Sequence, residues 1–460
     1  MTKTLLKSTL CALAFALPQM AAAQESEPSQ FGCSNYEFGT SLPAVEGKDG
    51  VFFRSFADLR LQHPMDDRVI EQLGRLSDAL AANGTTLIYV AIPPKSVVLP
   101  DLLPDRAAAY GFDIEIAEAV YVDILSRLAD RGIVAPDLVT AMREAENSAE
   151  KPFFASDFHW SSLGAKLAAE AIGAAIKADP GYAELTPKTY ETNPVGVKSA
   201  FSSMRLGLQA FCVNALPAVE TMTWETTEVA GDGVLDIGLA PEEEEPEEGV
   251  IDIFGASPDS RPDVVLVGTS FSDSETSNFA GFLQEYSGLE VVNYAVTGGN
   301  QFGGMTSYLT SADFRESRPR YLIWENPVYN NLAAFGPGPM EELITIALEN
   351  CVTDLVATRS DDATLTALFA DDMPAQSDMI SINFGSEGAR SVDITLLTES
   401  GIRRTAHIER SERLRATGRF EFWLAPYWLP DLKSIDVKFD RAMPEGASLS
   451  ICRNGTGDLR

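Results

Sequence analysis

A chain of 460 residues with 67 acidic against 35 basic side chains carries a formal net charge of −32. Such a surface repels phosphate, which excludes nucleic acid and anionic membranes as general partners and fits an exported, highly soluble protein. The length is that of two or three domains.

The chain opens with a targeting pattern. Lys3 and Lys7 precede an apolar run from Leu10 to Leu17, and Ala21-Ala22-Ala23-Gln24 follows. Basic, apolar and small residues in that order predict a signal peptide, 1–23, cut after Ala23. The run is too short to span a membrane, and no later stretch approaches about 18 unbroken apolar residues. Cys11 leaves with the signal peptide, so the exported chain keeps Cys33, Cys212, Cys351 and Cys452. Four cysteines in an oxidising compartment predict two disulfides with three possible connectivities. A two-domain chain makes 33–212 and 351–452 the natural pairs.

Hydrophobic spacing predicts a helix from Asp67 to Ala82 closed by Gly84, then a buried strand over 86–92 ended by Pro93-Pro94-Lys95. A helix from Asp113 to Asp130, a short strand at Ile133-Val134 and an Ala-rich helix over 163–178 come next. Residues 180–260 show no clear period, and their acidic tract, 241–249, reads as a solvated loop. Alternation resumes with strands over 263–268, 289–296 and 320–325 and helices near 275–286 and 303–312. This order is the signature of an α/β fold, a parallel sheet with helices on both faces. Beyond about residue 345 the period falls to two, with strands over 391–397, 404–408, 419–424, 434–439 and 448–451. Short alternating strands without helices predict a C-terminal β-sandwich. The expected division is 24–344 for the α/β domain and 345–460 for the sandwich.

One strand carries chemistry. Asp263-Val-Val-Leu-Val-Gly-Thr-Ser270 reads as a buried strand delivering Ser270 at its carboxyl end, where open α/β sheets collect ligands. A serine nucleophile needs a general base, and the chain has three histidines, His63, His159 and His407. His159 stands in Asp157-Phe-His159-Trp160, just before a helix. An Asp two residues away can hold the imidazole tautomer while the other nitrogen faces the serine. An acyl-transfer intermediate also needs oxyanion donors, and the Ser270 N–H with Gly299 and Asn300 of the turn 297–301 are the candidates. Three scattered histidines and paired cysteines leave no metal-ligand cluster, so no metal and no bound cofactor is expected.

Asp157-x-His159-Trp160 with Gly164, followed later by Gly268-Thr269-Ser270-Phe271-Ser272, resembles the circularly permuted SGNH-hydrolase-like domain of the alginate O-acetyltransferases of AlgX and AlgJ type. Ordinary SGNH enzymes carry the serine block first, whereas here, as in the permuted type, the Asp/His loop comes first. Ile92-Pro93-Pro94-Lys95, Trp324-Glu325-x-Pro327 and the cysteine pattern agree, over nearly the whole exported chain. The resemblance implies Ser270 as nucleophile, His159 as base and Asp157 as orienter, in a periplasmic enzyme using an acetyl donor that the sequence does not identify. It implies an anionic exopolysaccharide as acceptor, and other envelope proteins of an acetylation and export complex as partners.

The sandwich resembles the carbohydrate-binding module of AlgX-type chains, whose polymer-contacting pattern is basic-x-Thr-x-Trp with a later Arg. Arg403, Thr405, His407 and Arg413 match that spacing, with His407 replacing the aromatic. An acetylesterase using the same triad, and a non-catalytic polysaccharide-binding protein, are the alternative readings.

Overall fold

The computed structural model describes residues 28–63, 65–145, 147–229, 261–369 and 372–453. The expected signal peptide and the acidic tract lie outside them.

Two short strands, β1 (Ala44–Glu46) and β2 (Phe52–Arg54), form an antiparallel ladder beside the main sheet. β3 (Thr86–Ile92) follows the helix Asp67–Ala81, which starts where Asp66 caps the Val69 N–H. The helices Ile114–Asp130 and Ser162–Ala178 come next, started by Asp113 and Ser161 in the same way. A hairpin of β4 (Tyr190–Ser199) and β5 (Glu220–Glu228) then leads to β6 (Val264–Val267), β7 (Val291–Asn293) and β8 (Tyr321–Pro327). Four strands form the parallel sheet in the order β3-β8-β6-β7. Val134 adds one parallel bridge to Ile88, which is all that the expected strand at 133–134 amounts to.

Strand alternation splits the sheet between two cores. Ile88, Val90, Ile92, Val264, Leu266 and Ile323 pack on one face with the helices Ser162–Ala178 and Phe279–Ser287. Leu87, Tyr89, Val265, Val267, Leu322 and Trp324 pack on the other, with Asp67–Ala81, Gly303–Leu309 and Gly338–Leu348. Both faces are therefore dry, which is why these strands read as continuous apolar runs.

Two expectations for this part need correction. The strand expected over 289–296 is regular only from Val291 to Asn293, because Asn293 Oδ1 accepts the Ala295 N–H at 2.9 Å and turns the chain. The stretch without a period contains the β4–β5 hairpin. Pro194 and Gly196 interrupt β4 with a register shift, and most of its side chains are exposed, so no alternation is visible.

The remaining strands are β9 (Cys351–Asp354), β10 (Ala357–Arg359), β11 (Thr364–Leu368), β12 (Met379–Asn383), β13 (Ser391–Thr398), β14 (Arg403–Glu409), β15 (Arg419–Trp423), β16 (Leu432–Phe439) and β17 (Ser448–Cys452). They form two antiparallel sheets, β10-β11-β16-β13-β14 and β15-β12-β17-β9. Ile380, Ile382, Val392, Ile394, Phe420, Ile435, Val437 and Leu449 fill the space between them. Four of these strands, β9 to β12, were not legible as strands. The helix Gly338–Leu348 joins the two units, pairing Glu341 with Arg75 at 2.8 Å and accepting the Glu421 N–H on Glu342 at 3.3 Å.

Disulfides join Cys33 to Cys212 and Cys351 to Cys452. The second ties β9 to β17, so the first and last strands of the sandwich are cross-linked. Such bonds mark an oxidising compartment outside the cytosol. No helix among the described residues is long and apolar enough to cross a membrane.

Candidate active site

β6 ends at Val267, and Gly268-Thr269 turn the chain into a short helix, Ser270–Asp273, with Ser270 at its first position. A side chain on Gly268 would lie 2.4 Å from Glu325 Oε2, so only glycine fits this turn. Ser270 Oγ is 2.7 Å from His159 Nε2. His159 Nδ1 is 2.6 Å from Asp157 Oδ1, which also accepts the His159 backbone N–H at 2.8 Å. Two blocks 111 residues apart thus meet at the carboxyl end of the parallel sheet. With Nδ1 donating to Asp157, Nε2 is left as the acceptor that a general base requires.

Asp157 is 2% exposed, and its second oxygen accepts the Ser202 hydroxyl at 2.5 Å. Burial raises its carboxyl, but the His159 ring, the Ser202 hydroxyl and the His159 N–H outweigh that and hold it at about 2. The acid therefore stays ionised throughout the neutral range. Ser202 also caps the helix Ser203–Gln209 by accepting the Arg205 N–H at 2.9 Å. It lies in the stretch where no period was readable.

The Asp/His loop is held from below by a buried ammonium. Lys95, 1% exposed, donates to the carbonyls of Phe52 at 2.9 Å, Phe154 at 2.5 Å, Ala155 at 3.0 Å and Asp157 at 3.0 Å. Burial lowers Lys95 to about 7, against the pull of Asp58 and Asp157. Trp160 Nε1 donates to the Phe271 carbonyl at 2.9 Å and locks the loop to the serine helix. A side chain on Gly164 would lie 2.2 Å from the Pro152 carbonyl, so the following helix packs against the loop only with glycine there. The Arg54 guanidinium sits 4.2 Å from the ring centre of Phe158 and 4.3 Å from that of Tyr329.

The serine turn has its own buried anchor. Glu325, at the end of β8 and 0% exposed, accepts the Thr269 N–H at 2.7 Å, the Thr269 hydroxyl at 3.0 Å and the Ser272 hydroxyl at 2.9 Å. Burial raises its carboxyl to about 7 despite those three donors. In sequence Glu325 stands in Trp324-Glu325-x-Pro327 without sign of this role, because its partners lie 53 to 56 residues earlier.

The oxyanion candidates divide. The Ser270 N–H is the first of its helix, where no intrahelical acceptor exists, so it is free to face a developing oxyanion. Asn300 has φ 58°, and its Oδ1 accepts the Phe302 N–H at 2.9 Å in a turn just before the helix Gly303–Leu309. Among the described residues no hydrogen bond joins Gly299 or Asn300 to the triad. The turn does approach the serine helix, since the Thr297 N–H donates to Asp273 Oδ2 at 2.8 Å.

Arg403, Thr405 and His407 are exposed on β14, an edge strand. His407 faces Asp393 across the ladder at 2.8 Å and Glu409 at 3.8 Å, so carboxylates interrupt the basic stripe. Arg413 is separate from the stripe and donates to the Thr297 carbonyl at 3.3 Å, on the loop next to the serine helix. The third histidine, His63, takes no part, and burial lowers it to about 4.

Residues 44–328 match the family model of the SGNH hydrolase-like domain of acetyltransferase AlgX. The alginate biosynthesis protein AlgX of Pseudomonas aeruginosa is 27% identical over 435 residues, covering 92% of this chain and 87% of that protein. A Pseudomonas syringae protein named "Probable alginate O-acetylase AlgJ" is 29% identical over 274 residues, 58% of this chain and 64% of the other. The solved structure of Pseudomonas aeruginosa AlgX superposes with a TM-score of 0.72 at 24% identity, covering 93% of this chain and 98% of that one. That likeness is one of fold, sandwich included. The family match spans well over half the chain and contains the Asp/His loop and the serine turn, so this protein belongs to the family of the SGNH hydrolase-like, AlgX-type acetyltransferase domains.

Proposed function

We propose that the protein transfers acetyl groups to hydroxyls of an exported polysaccharide through Ser270, His159 and Asp157. The observation that carries this reading is the continuous hydrogen-bond chain from Asp157 through His159 to Ser270, at 2.6 and 2.7 Å. Ser270 Oγ attacks the acetyl carbonyl as His159 Nε2 takes its proton, and Asp157 stabilises the imidazolium. The Ser270 N–H faces the oxyanion of the tetrahedral intermediate. His159 then returns the proton to the leaving group of the donor, which leaves an acetyl ester on Ser270. An acceptor hydroxyl next gives its proton to His159 and attacks that ester, and His159 returns the proton to Ser270 Oγ as the acetylated acceptor departs. The AlgX and AlgJ relatives carry alginate in their names, and we take the acceptor to be alginate or a similar uronic-acid polymer. The periplasm is the compartment this implies, with other envelope proteins of polysaccharide acetylation and export as partners. Arg403, Thr405, His407 and Arg413 are the residues we assign to polymer contact.

A second reading, hydrolysis of acetyl groups, uses the same triad with water. It is favoured by the 24% exposure of the His159 side chain, which lets water reach the base.

The test uses chain lacking residues 1–23, an artificial acetyl ester and uronic-acid oligosaccharides, with Ser270→Ala as control. Mass spectrometry follows acetyl groups on protein and sugar. Acetylated sugar that disappears in Ser270→Ala is the expected result. Ester hydrolysis with unmodified sugar favours the second reading, and equal inertness of both proteins sinks the first.

A further inference from the structure

A cleft of about 690 Å³ lies between the α/β unit and the sandwich, and no triad residue lines it. Its walls include Phe335, which is 65% exposed, and the half-buried Trp423 and Tyr427. Two acids, Glu342 and Glu421, each 6% exposed, are also among the lining residues. Arg410 is committed to Glu342 and stacks 5.6 Å from the Phe420 ring. Glu421 Oε1 accepts the Ser381 hydroxyl at 2.8 Å, while its Oε2 is buried without a hydrogen-bond partner among the described residues. A buried polar atom left unpaired in a cleft wall calls for a ligand or water that supplies the partner.

The chemistry of the walls narrows the ligand. Among the described residues, Arg410 and His407 are the basic ones that line it, and both already face carboxylates, Glu342 and Asp393. The acids Glu342, Glu409 and Glu421 line the same space, so a uronate carboxylate meets repulsion there and no free cation. Burial, reinforced by Glu342 and opposed by Ser381, raises Glu421 to about 8, so both its protonated and ionised forms are accessible near neutrality. A hydroxyl is the group that serves both, donating to the carboxylate or accepting from the acid. Exposed aromatic rings beside a few polar groups suit the apolar C–H face of a sugar.

We propose that this cleft is a subsite for an uncharged glycosyl residue, stacked on Trp423 and Phe335 with a hydroxyl directed to Glu421. The protein then holds two kinds of sugar, a neutral residue in the cleft and an anionic stretch along Arg403 and Arg413. The inference concerns binding and does not depend on the triad.

Calorimetry of the full exported chain with neutral hexose oligosaccharides and with uronic-acid oligosaccharides of equal length tests it. Wild type is expected to bind the neutral series, and Trp423→Ala to weaken that binding about tenfold. Glu421→Gln, which keeps a donor and an acceptor, retains neutral-sugar binding, whereas Glu421→Leu loses it. Thermal melts check that each variant folds, and Trp423→Ala alone decides the matter if Glu421→Leu does not. Neutral-sugar binding that is absent, or equally strong in Trp423→Ala, overturns the proposal. Acetyl-ester turnover on the same preparations separates the two readings. Turnover without neutral-sugar binding sinks the subsite alone, and binding without turnover sinks the triad alone.

Discussion

Ser202→Ala removes one hydroxyl that does two jobs. It donates to Asp157 Oδ2 and accepts the Arg205 N–H that starts the helix Ser203–Gln209. A hydrogen bond to a buried carboxylate is worth about 1.5–3 kcal/mol, and an N-cap about 1 kcal/mol, so the variant should lose about 3 kcal/mol at pH 7. The two parts separate by pH. Asp157 falls from 3.8 to about 2 on folding, which corresponds to about 2.4 kcal/mol of stability. A lowered carboxyl contributes that stability above its unfolded value and loses it as pH falls towards about 2. Ser202→Ala raises Asp157, so its deficit should be largest at neutral pH and shrink towards the capping part, about 1 kcal/mol, as pH drops from 4 to 2. Activity should fall only about tenfold, because Asp157 Oδ1 still holds both the ring and the backbone N–H of His159. Urea denaturation followed by circular dichroism at pH 7 and near pH 2.5, with acetyl-ester kcat, measures all three. A deficit that does not change with pH, or one below about 1 kcal/mol at pH 7, refutes the reasoning.

Lys95→Met leaves four carbonyls without their donor and should cost about 3 kcal/mol in urea denaturation, with kcat falling more than KM because the Asp157 loop loosens. Gly164→Ala forces a carbon to 2.2 Å from the Pro152 carbonyl, and should lower stability by about 2 kcal/mol and activity with it; a fully active, equally stable variant contradicts the packing. Glu325 rises from 4.5 to about 7 on folding, so its ionisation costs nothing below pH 4.5 and grows to about 3 kcal/mol as pH rises through 7. Thermal melts of Glu325→Gln should therefore gain on wild type as pH rises from 4.5 to 7, and a constant difference would count against a buried, titrating Glu325.

What could be read in advance was local. Val264–Val267 is apolar without interruption because both of its faces are covered, and that pattern pointed to Ser270 at its end. Asp157 and His159 stood two residues apart, close enough for their hydrogen bond to be read as a unit. Strands β13 to β17 alternate because one face of each meets the sandwich core. Strand β12 is hard to read because its alternation, Ile380-Ser381-Ile382-Asn383, covers only four residues.

Periodicity, turn residues and the order of the Asp/His and serine blocks were thus determined by the sequence itself, since each depends on neighbours a few residues away. The supports of the site were not. Ser202 reaches Asp157 across 45 residues, Lys95 reaches the same loop across about 60, and Glu325 reaches Thr269 across 56. Glu342 and Glu421 come to share a cleft only because the helix Gly338–Leu348 packs on β15, and His407 acquires Asp393 and Glu409 only through the pairing of β13 with β14. Hydrogen bonds between distant residues leave no local pattern, because the partner's position follows from how every intervening element packs. Tertiary structure alone decided which buried charges brace the hydrogen-bond chain from Asp157 to Ser270, and which carboxylates stand against the basic stripe and line the neighbouring cleft.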